Sequence, residues 1–231
     1  MTGTDAVAVS AQGEQSRSLR PRDAATLIVV RDQREILVGV RSAGHVFMPH
    51  LYVFPGGRVD AGDARVPSPV QLRAPELNKL TKTLSPARAR ALAMTAVRET
   101  YEETGLILGR PTKQPPSTSS PHWQPFFETG HVAALDRLRY VARAITPPNP
   151  LRRYDARFFL ADAKHCSGQL RGNGELEDLR WVTLKQAARL ELSPVTELVL
   201  ELLGNKLLQG RSSSRVPLYW SRFGRERIDY E

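Results

Sequence analysis

The sequence predicts a single α/β or α+β domain, and three observations lead there. Short β-rich runs share the chain with two helical segments, each opened by a Ser-Pro pair, Ser85-Pro86 and Ser193-Pro194. Clusters of glycine and proline punctuate the runs. At 231 residues, 41% apolar and 25% charged, the chain has an ordinary supply of core residues for one domain.

In chain order, residues 1–21 are small and polar, which predicts a disordered tail, and order is expected from about Asp23. Ala24 to Val30 and Glu35 to Arg41 read as neighbouring strands across the charged turn Arg31-Asp32-Gln33-Arg34. Leu51 to Phe54 is a third strand, stopped by Pro55-Gly56-Gly57. From Arg58 to Leu84, Gly62, Pro67, Pro69 and Pro75 predict a long inserted loop holding one short helix near Glu76 to Leu84. Ser85 caps a helix that Gly105 closes. Leu106 to Gly109 is a strand, and Pro111 to Pro121 a flexible loop. Leu138 to Ile145, Tyr154 to Ala161 and Leu176 to Thr183 are further strands. A second helix starts at Ser193-Pro194 and runs to about Gln209, with Leu198, Leu202 and Leu203 as its apolar stripe. The domain thus spans 22–210, and the arginine-rich segment 211–231 is expected to be a peripheral basic tail.

Composition narrows the function classes. No apolar run approaches the roughly 18–20 residues of a membrane helix, so no membrane partner is expected. Cys166 is the only cysteine, which excludes an intrachain disulfide and a multi-cysteine zinc site and suits a reducing, cytoplasmic compartment. Thirty-three basic residues against 24 acidic give a net charge of +9. Only six of the basic residues are lysines, so the excess is arginine, whose fork suits phosphate. The basic residues are scattered and not interleaved with aromatics, which disfavours a nucleic-acid partner. The five histidines show no metal-ligand spacing, Cys166 reads as a packed residue, and Phe158 and Phe159 as core.

The chemistry is concentrated in Arg98-Glu99-Thr100-Tyr101-Glu102-Glu103-Thr104-Gly105-Leu106, late in the first helix. At about 100° per residue, Ala89, Leu92, Ala93, Ala96, Val97 and Thr100 share the packed face, and Glu99 and Glu103 fall at its border. Two carboxylates at i and i+4 repel each other, and at a helix C-terminus they also oppose the macrodipole. A cation is therefore expected between Glu99 and Glu103, while Arg98 is spaced to orient Glu102. Mg²⁺ suits such a site because it takes one or two carboxylates and fills its remaining positions with water and substrate phosphate.

These residues resemble the Nudix hydrolase box, G-x5-E-x7-R-E-U-x-E-E-x-G-U with U aliphatic. Arg98-Glu99, Glu102-Glu103, Gly105 and Leu106 match its second half, with Thr100 at an aliphatic position, and Val53-Phe54-Pro55-Gly56-Gly57 matches the segment leading into it. The box spacing from Gly57 puts the arginine at 71; it stands at 98, so 27 residues are inserted. Eight residues before Arg98, where the box has its first glutamate, stands Arg90; Asp60 or Asp63 would have to replace that glutamate in space. The split box is similar to that of the peroxisomal-type coenzyme A diphosphatase branch, as are Arg41-Ser42 and the Phe54 to Gly57 segment.

The resemblance implies a Nudix-type α/β/α sandwich with a mixed sheet and Mg²⁺- or Mn²⁺-dependent hydrolysis of a diphosphate linked to another moiety, coenzyme A or acyl-CoA. ADP-ribose, NADH or a nucleotide sugar is the alternative substrate, and a Nudix-like nucleotide- or RNA-binding module without catalysis the alternative of another class. Glu99, Glu103 and Glu102 are the expected metal ligands, and Glu102, Arg98 and Glu99 the expected catalytic residues. Gly56 and Gly57 would let the backbone approach the substrate phosphates, and Arg41 would reach an anionic group. A general base from outside the box is also expected, with Glu175 and Glu177 as candidates. A homodimer is left open.

Overall fold

The computed structural model describes residues 19–44, 49–147, 152–210, 213–222 and 225–231. Its elements in chain order are β1 (Arg22–Arg31), β2 (Glu35–Arg41), β3 (Tyr52–Val53), β4 (Gly56–Arg58), α1 (Ala61–Arg65), α2 (Ala74–Thr81), α3 (Pro86–Thr104), β5 (Leu106–Pro111), α4 (Gln124–Glu128), β6 (His131–Ala133), β7 (Arg139–Ile145), β8 (Tyr154–Asp162), β9 (Cys166–Gly168), β10 (Leu176–Thr183), α5 (Leu184–Ala187), α6 (Pro194–Leu208), β11 (Pro217–Arg222) and β12 (Arg225–Tyr230). Most of the tail expected over 1–21 lies outside the described residues. No described helix is long and apolar enough to cross a membrane.

The main sheet runs β10-β2-β1-β8-β7-β11-β12, with β3 beside β2 and β4 beside β1. Its β1–β8 and β7–β11 pairs are parallel and the others antiparallel, which makes it the mixed sheet expected. Strand β1 lies at the centre and is apolar on both faces, as a strand covered on both sides must be. Ala25, Leu27 and Val29 pack with α3, and Ile28 and Val30 pack on the α6 side. A three-stranded sheet, β6-β5-β9, continues from the end of α3.

Helix α3 forms where the capping residues put it. Ser85 accepts from the Arg88 amide, proline follows, and Gly105 ends the helix in the left-handed region at φ 73°. Ala89, Ala93 and Ala96 on its buried face are small enough to let the helix backbone lie close to the sheet. Leu92 and Val97 fill that layer, and burying a side chain of that size stabilises by about 1.5–3 kcal/mol. Helix α6 is capped in the same way by Ser193. Its sheet-facing stripe runs through Val199, Leu203 and Leu207, one residue round from the predicted Leu198 and Leu202.

Two segments differ from expectation, and a third holds an anchor beyond its expected loop. The insertion carries two helices, not one, and α2 docks through buried Glu76, whose carboxylate accepts from the Tyr140 amide at 2.9 Å and from Lys79 at 2.9 Å. The segment after Pro111 is anchored at its far end by Trp123, Phe126 and Phe127, all buried. Beyond 210 the chain is not peripheral, because β11 and β12 extend the main sheet beside β7. Glu231 closes that hairpin through its ion pair with Arg143 and a bond from the Tyr140 hydroxyl at 3.1 Å.

Candidate active site

The end of α3 meets the loop that enters β4. Gly105 stops the helix one turn after Tyr101, whose carbonyl accepts its amide at 2.9 Å, so Glu99 and Glu103 occupy the last two turns against β4. The Gly56 amide donates to Glu103 Oε2 at 2.7 Å. A Cβ on Gly57 would stand 2.5 Å from the Glu99 carboxyl carbon, and one on Gly56 would stand 2.5 Å from the Ala25 carbonyl oxygen. Neither position has room for a side chain. Gly57→Ala should therefore push the Glu99 carboxylate out of place and reduce activity by at least about tenfold. Far-ultraviolet circular dichroism should show the fold retained, and unchanged activity would show that the Glu99 position is immaterial.

Charge in this corner is unbalanced. Burial pushes the Glu99 pKa up to about 7; Arg98 opposes the shift, and Glu102 and Asp63 add to it. Burial holds the Glu103 pKa well above the ordinary carboxylate range, with Glu99 and Glu175 reinforcing the shift and the Gly56 amide and Arg41 opposing it. The protein has thus buried two acids that repel each other and that its own cations only partly offset. Oxygen donors with surplus negative charge fit a hard divalent cation such as Mg²⁺. Among the described residues, no three His, Cys, Asp or Glu side chains are gathered as a ready cage. The two glutamates would supply part of a coordination shell, with water and substrate oxygens supplying the rest.

Arg98 fixes Glu99 and Glu102. Its Nη1 lies 2.8 Å from Glu102 Oε2, the i, i+4 contact expected, and 2.8 Å from Glu99 Oε1. Its other edge grips Asp63, Nε at 2.8 Å from Oδ1 and Nη2 at 3.0 Å from Oδ2, and Nη2 also donates to the Arg58 carbonyl at 3.2 Å. Burial alone would lower the Arg98 pKa; the bonds and charge of Asp63, Glu99 and Glu102 raise it instead, so the guanidinium stays protonated.

Asp63 answers the question of the missing box glutamate. It is fully buried and takes, besides Arg98, the Thr95 hydroxyl at 2.7 Å, the Trp123 indole N–H at 2.8 Å and the Asp60 amide at 2.8 Å. It stands six residues after Gly57, the box spacing for the first glutamate, so the extra residues lie between Asp63 and Arg98. Arg90 does different work. Its guanidinium donates to the carbonyls of Asp63, Ala64 and Val66 and satisfies the free carbonyls at the end of α1.

Arg41, Gly56, Gly57, Glu99, Glu102 and Glu103 all line one cleft of about 420 Å³. Glu175 lines it too, with no side-chain partner among the described residues, whereas Glu177 is exposed on β10 opposite Val40 and does not. Trp123 and His122 were missed from sequence, and His122 Nδ1 lies 3.4 Å from Glu102 Oε1 on the cleft wall. The floor is apolar and small, with Ala24, Phe54, Ala156 and Phe158.

No family model matches the chain. Among solved structures it is similar to a Nudix hydrolase from Alicyclobacillus acidocaldarius, at 29% identity and a TM-score of 0.58 over 80% of this chain and 91% of that one. It also aligns with a MutT Nudix hydrolase from Burkholderia pseudomallei at 20% identity and a TM-score of 0.45, over 79% and 98% of the two chains. The Nudix domain of Shewanella oneidensis NrtR, solved with ADP-ribose, aligns at 15% and 0.46 over 85% and 95%.

Proposed function

We propose that this chain, a hydrolase of the Nudix fold, cleaves a diphosphate with Glu99 and Glu103 holding Mg²⁺ or Mn²⁺ against it. The observation that carries the reading is the pair of buried, mutually repelling carboxylates one helical turn apart, facing a cleft that also holds Arg41. Coenzyme A or an acyl derivative is the substrate put first, on the resemblance of Arg41-Ser42 and Phe54-Pro55-Gly56-Gly57 to the split-box branch. A bound divalent ion would neutralise diphosphate charge and acidify a water.

The chain's own groups do the rest. Arg98 holds Glu99 and Glu102 in place, and such positioning dominates phosphoryl transfers. Gly56 and Gly57, having no side chains, let the Glu99 carboxylate and β1 lie against the β4 backbone, and the Gly56 amide holds Glu103. Arg41 supplies positive charge near Glu103 for the anionic substrate. Water attacks one phosphorus, the bridging P–O bond breaks, and the water proton passes to a carboxylate. Glu102 is committed to Arg98 and is the poorer acceptor; Glu175, on the cleft wall with no side-chain partner among the described residues, is the better one. Glu175→Gln should lower kcat by about 10²–10⁴ and leave KM little changed. Steady-state kinetics on the best substrate read this, and a kcat within twofold of wild type would remove Glu175 from the mechanism.

The direct test is purified protein with coenzyme A, ADP-ribose, NADH and nucleotide sugars, with and without Mg²⁺, read by mass spectrometry. Formation of 4′-phosphopantetheine and 3′,5′-ADP supports the coenzyme A reading. No turnover of any diphosphate by folded protein in Mg²⁺ overturns the hydrolase reading and favours a binding module.

A further inference from the structure

Strand β10 does not run regularly beside β2. Glu177 pairs with Val40 and Arg180 with Val38, so Asp178 and Leu179 together stand opposite the single residue Gly39. This is a β-bulge. Asp178 occupies the left-handed region at φ 47°, which aspartate tolerates and β-branched residues resist. Gly39 leaves the room, since a Cβ there would stand 2.7 Å from Leu179 Cδ2 and 3.2 Å from Leu176 Cβ.

The bulge decides which way Glu175 faces. Side chains two apart on a strand share a face. Trp181 packs on the α3 side of the sheet and Val182 on the α6 side, so an unbroken β10 would carry Leu179, Glu177 and Glu175 on the α3 side with Trp181. One extra residue reverses the alternation. Glu177 comes opposite Val40, two residues from Val38 in the α6-side core. Glu175 follows on that side, its carbonyl accepting from the Ser42 amide at 3.0 Å. The cleft floor lies there too, for Phe158 belongs to the same core cluster and Thr26 is two residues from Ile28.

A fixed anchor holds the bulge. The Tyr52 hydroxyl donates to Asp178 Oδ2 at 2.5 Å, and Arg180 donates to both carboxylate oxygens, with Nε at 3.1 Å from Oδ1. The Arg180 guanidinium also lies over the Tyr52 ring, 5.4 Å from its centroid. Tyr52 is itself tied on both edges of β3. It pairs with Val40 of β2, its amide donates to the Glu191 carbonyl at 2.8 Å, and its carbonyl accepts from the Ser193 amide at 3.0 Å.

We infer that Asp178 is a positioning residue, which pins the bulge of β10 to Tyr52 and thereby turns Glu175 into the cleft. That role rests on the reading of Glu175 as the proton acceptor and deepens it. Asp178 is exposed and lies outside the lining of the cleft, so it acts through the strand alone.

The test compares three changes at this one position in the full chain, with kcat counted per folded molecule by circular dichroism. Asp178→Val loses the carboxylate and resists positive φ; it should lower kcat about tenfold or more with KM little changed. Asp178→Asn keeps an oxygen for the Tyr52 hydroxyl and tolerates the same φ, so it should stay closer to wild type. Deleting Asp178 removes every bond of the side chain but leaves Leu179 opposite Gly39 in a regular ladder, with Glu177 still opposite Val40. Its kcat should therefore exceed that of Asp178→Val. In the Glu175→Gln background, Asp178→Val should cost less than about twofold more. A folded deletion variant as slow as Asp178→Val, an asparagine variant no better than the valine one, or a full further loss in Glu175→Gln overturns the positioning role. A crystal structure of Asp178→Val separates that role from the reading of Glu175 as base. Glu175 turned out of the cleft, while Glu175→Gln keeps full kcat, supports the positioning and removes the base. Glu175 still in the cleft, with the β2–β10 register unchanged, overturns the positioning whatever Glu175→Gln does.

Discussion

Glu103→Gln should lower kcat/KM on the order of 10²–10³ or more, the scale expected when one electrostatic element of a transition-state site is removed, and should make the metal-free protein more stable than wild type. The two effects have one cause. Glu103 is buried, its carboxylate repels Glu99, and only the Gly56 amide and the more distant Arg41 offset that charge. A glutamine keeps an oxygen for the Gly56 amide and removes the charge. The stability difference has a definite pH dependence in metal-free protein. The folded pKa is raised, so the wild-type group is not penalised below the ordinary carboxylate pKa, where folded and unfolded chains are both protonated. The penalty grows as pH rises above that value, and the melting advantage of Glu103→Gln should grow with it. Mg²⁺ should reverse the order. At about 100 times its dissociation constant, a ligand that binds only the folded state adds about 2.7 kcal/mol, and the variant should gain much less. Equal activity, or equal Mg²⁺ stabilisation, in the two proteins contradicts the assignment of Glu103.

Asp63→Ala should be the most damaging single change to the fold. It leaves the Arg98 guanidinium buried without its main partner, and the Trp123 indole and Thr95 hydroxyl lose their acceptor as well. Breaking a buried ion pair from one side costs about 3–5 kcal/mol, which lowers Tm by about 6–20 °C in a chain of this length. Asp63→Glu is the informative companion. It restores the box residue and the charge but lengthens the side chain in a packed site. It should recover most activity and part of the stability. A melting temperature for Asp63→Ala within about 2 °C of wild type would mean that Asp63 does not anchor Arg98.

Much of this architecture is legible in the chain because it is written in local chemistry. Ser85-Pro86 with Gly105, and Ser193-Pro194, mark helix ends through backbone hydrogen bonding and φ, which tertiary contacts seldom override. The border position of Glu99 and Glu103 follows from helical geometry, and both are buried. Asp63 was legible in principle. Counting eight back from Arg98 stops inside α3 at Arg90, short of the inserted residues; counting six forward from Gly57 reaches Asp63 before them.

Other parts depend on long-range partners. Trp123, Phe126 and Phe127 have the i, i+3, i+4 spacing of a buried helical face, a signal masked by the proline and serine residues before them. The arginine content of 211–231 reads as solvated, yet Leu218, Tyr219 and Trp220 are strand residues, and β11 gains stability only once β7 offers its edge.

The most direct measurement is the position of the cation itself, from anomalous scattering by a crystal grown with Mn²⁺. A peak within coordination distance of Glu99 and Glu103 carboxylate oxygens, beside Gly56 and Gly57, is the result expected. Those two side chains bound to no ion, with the manganese peak elsewhere on the molecule, would contradict the account.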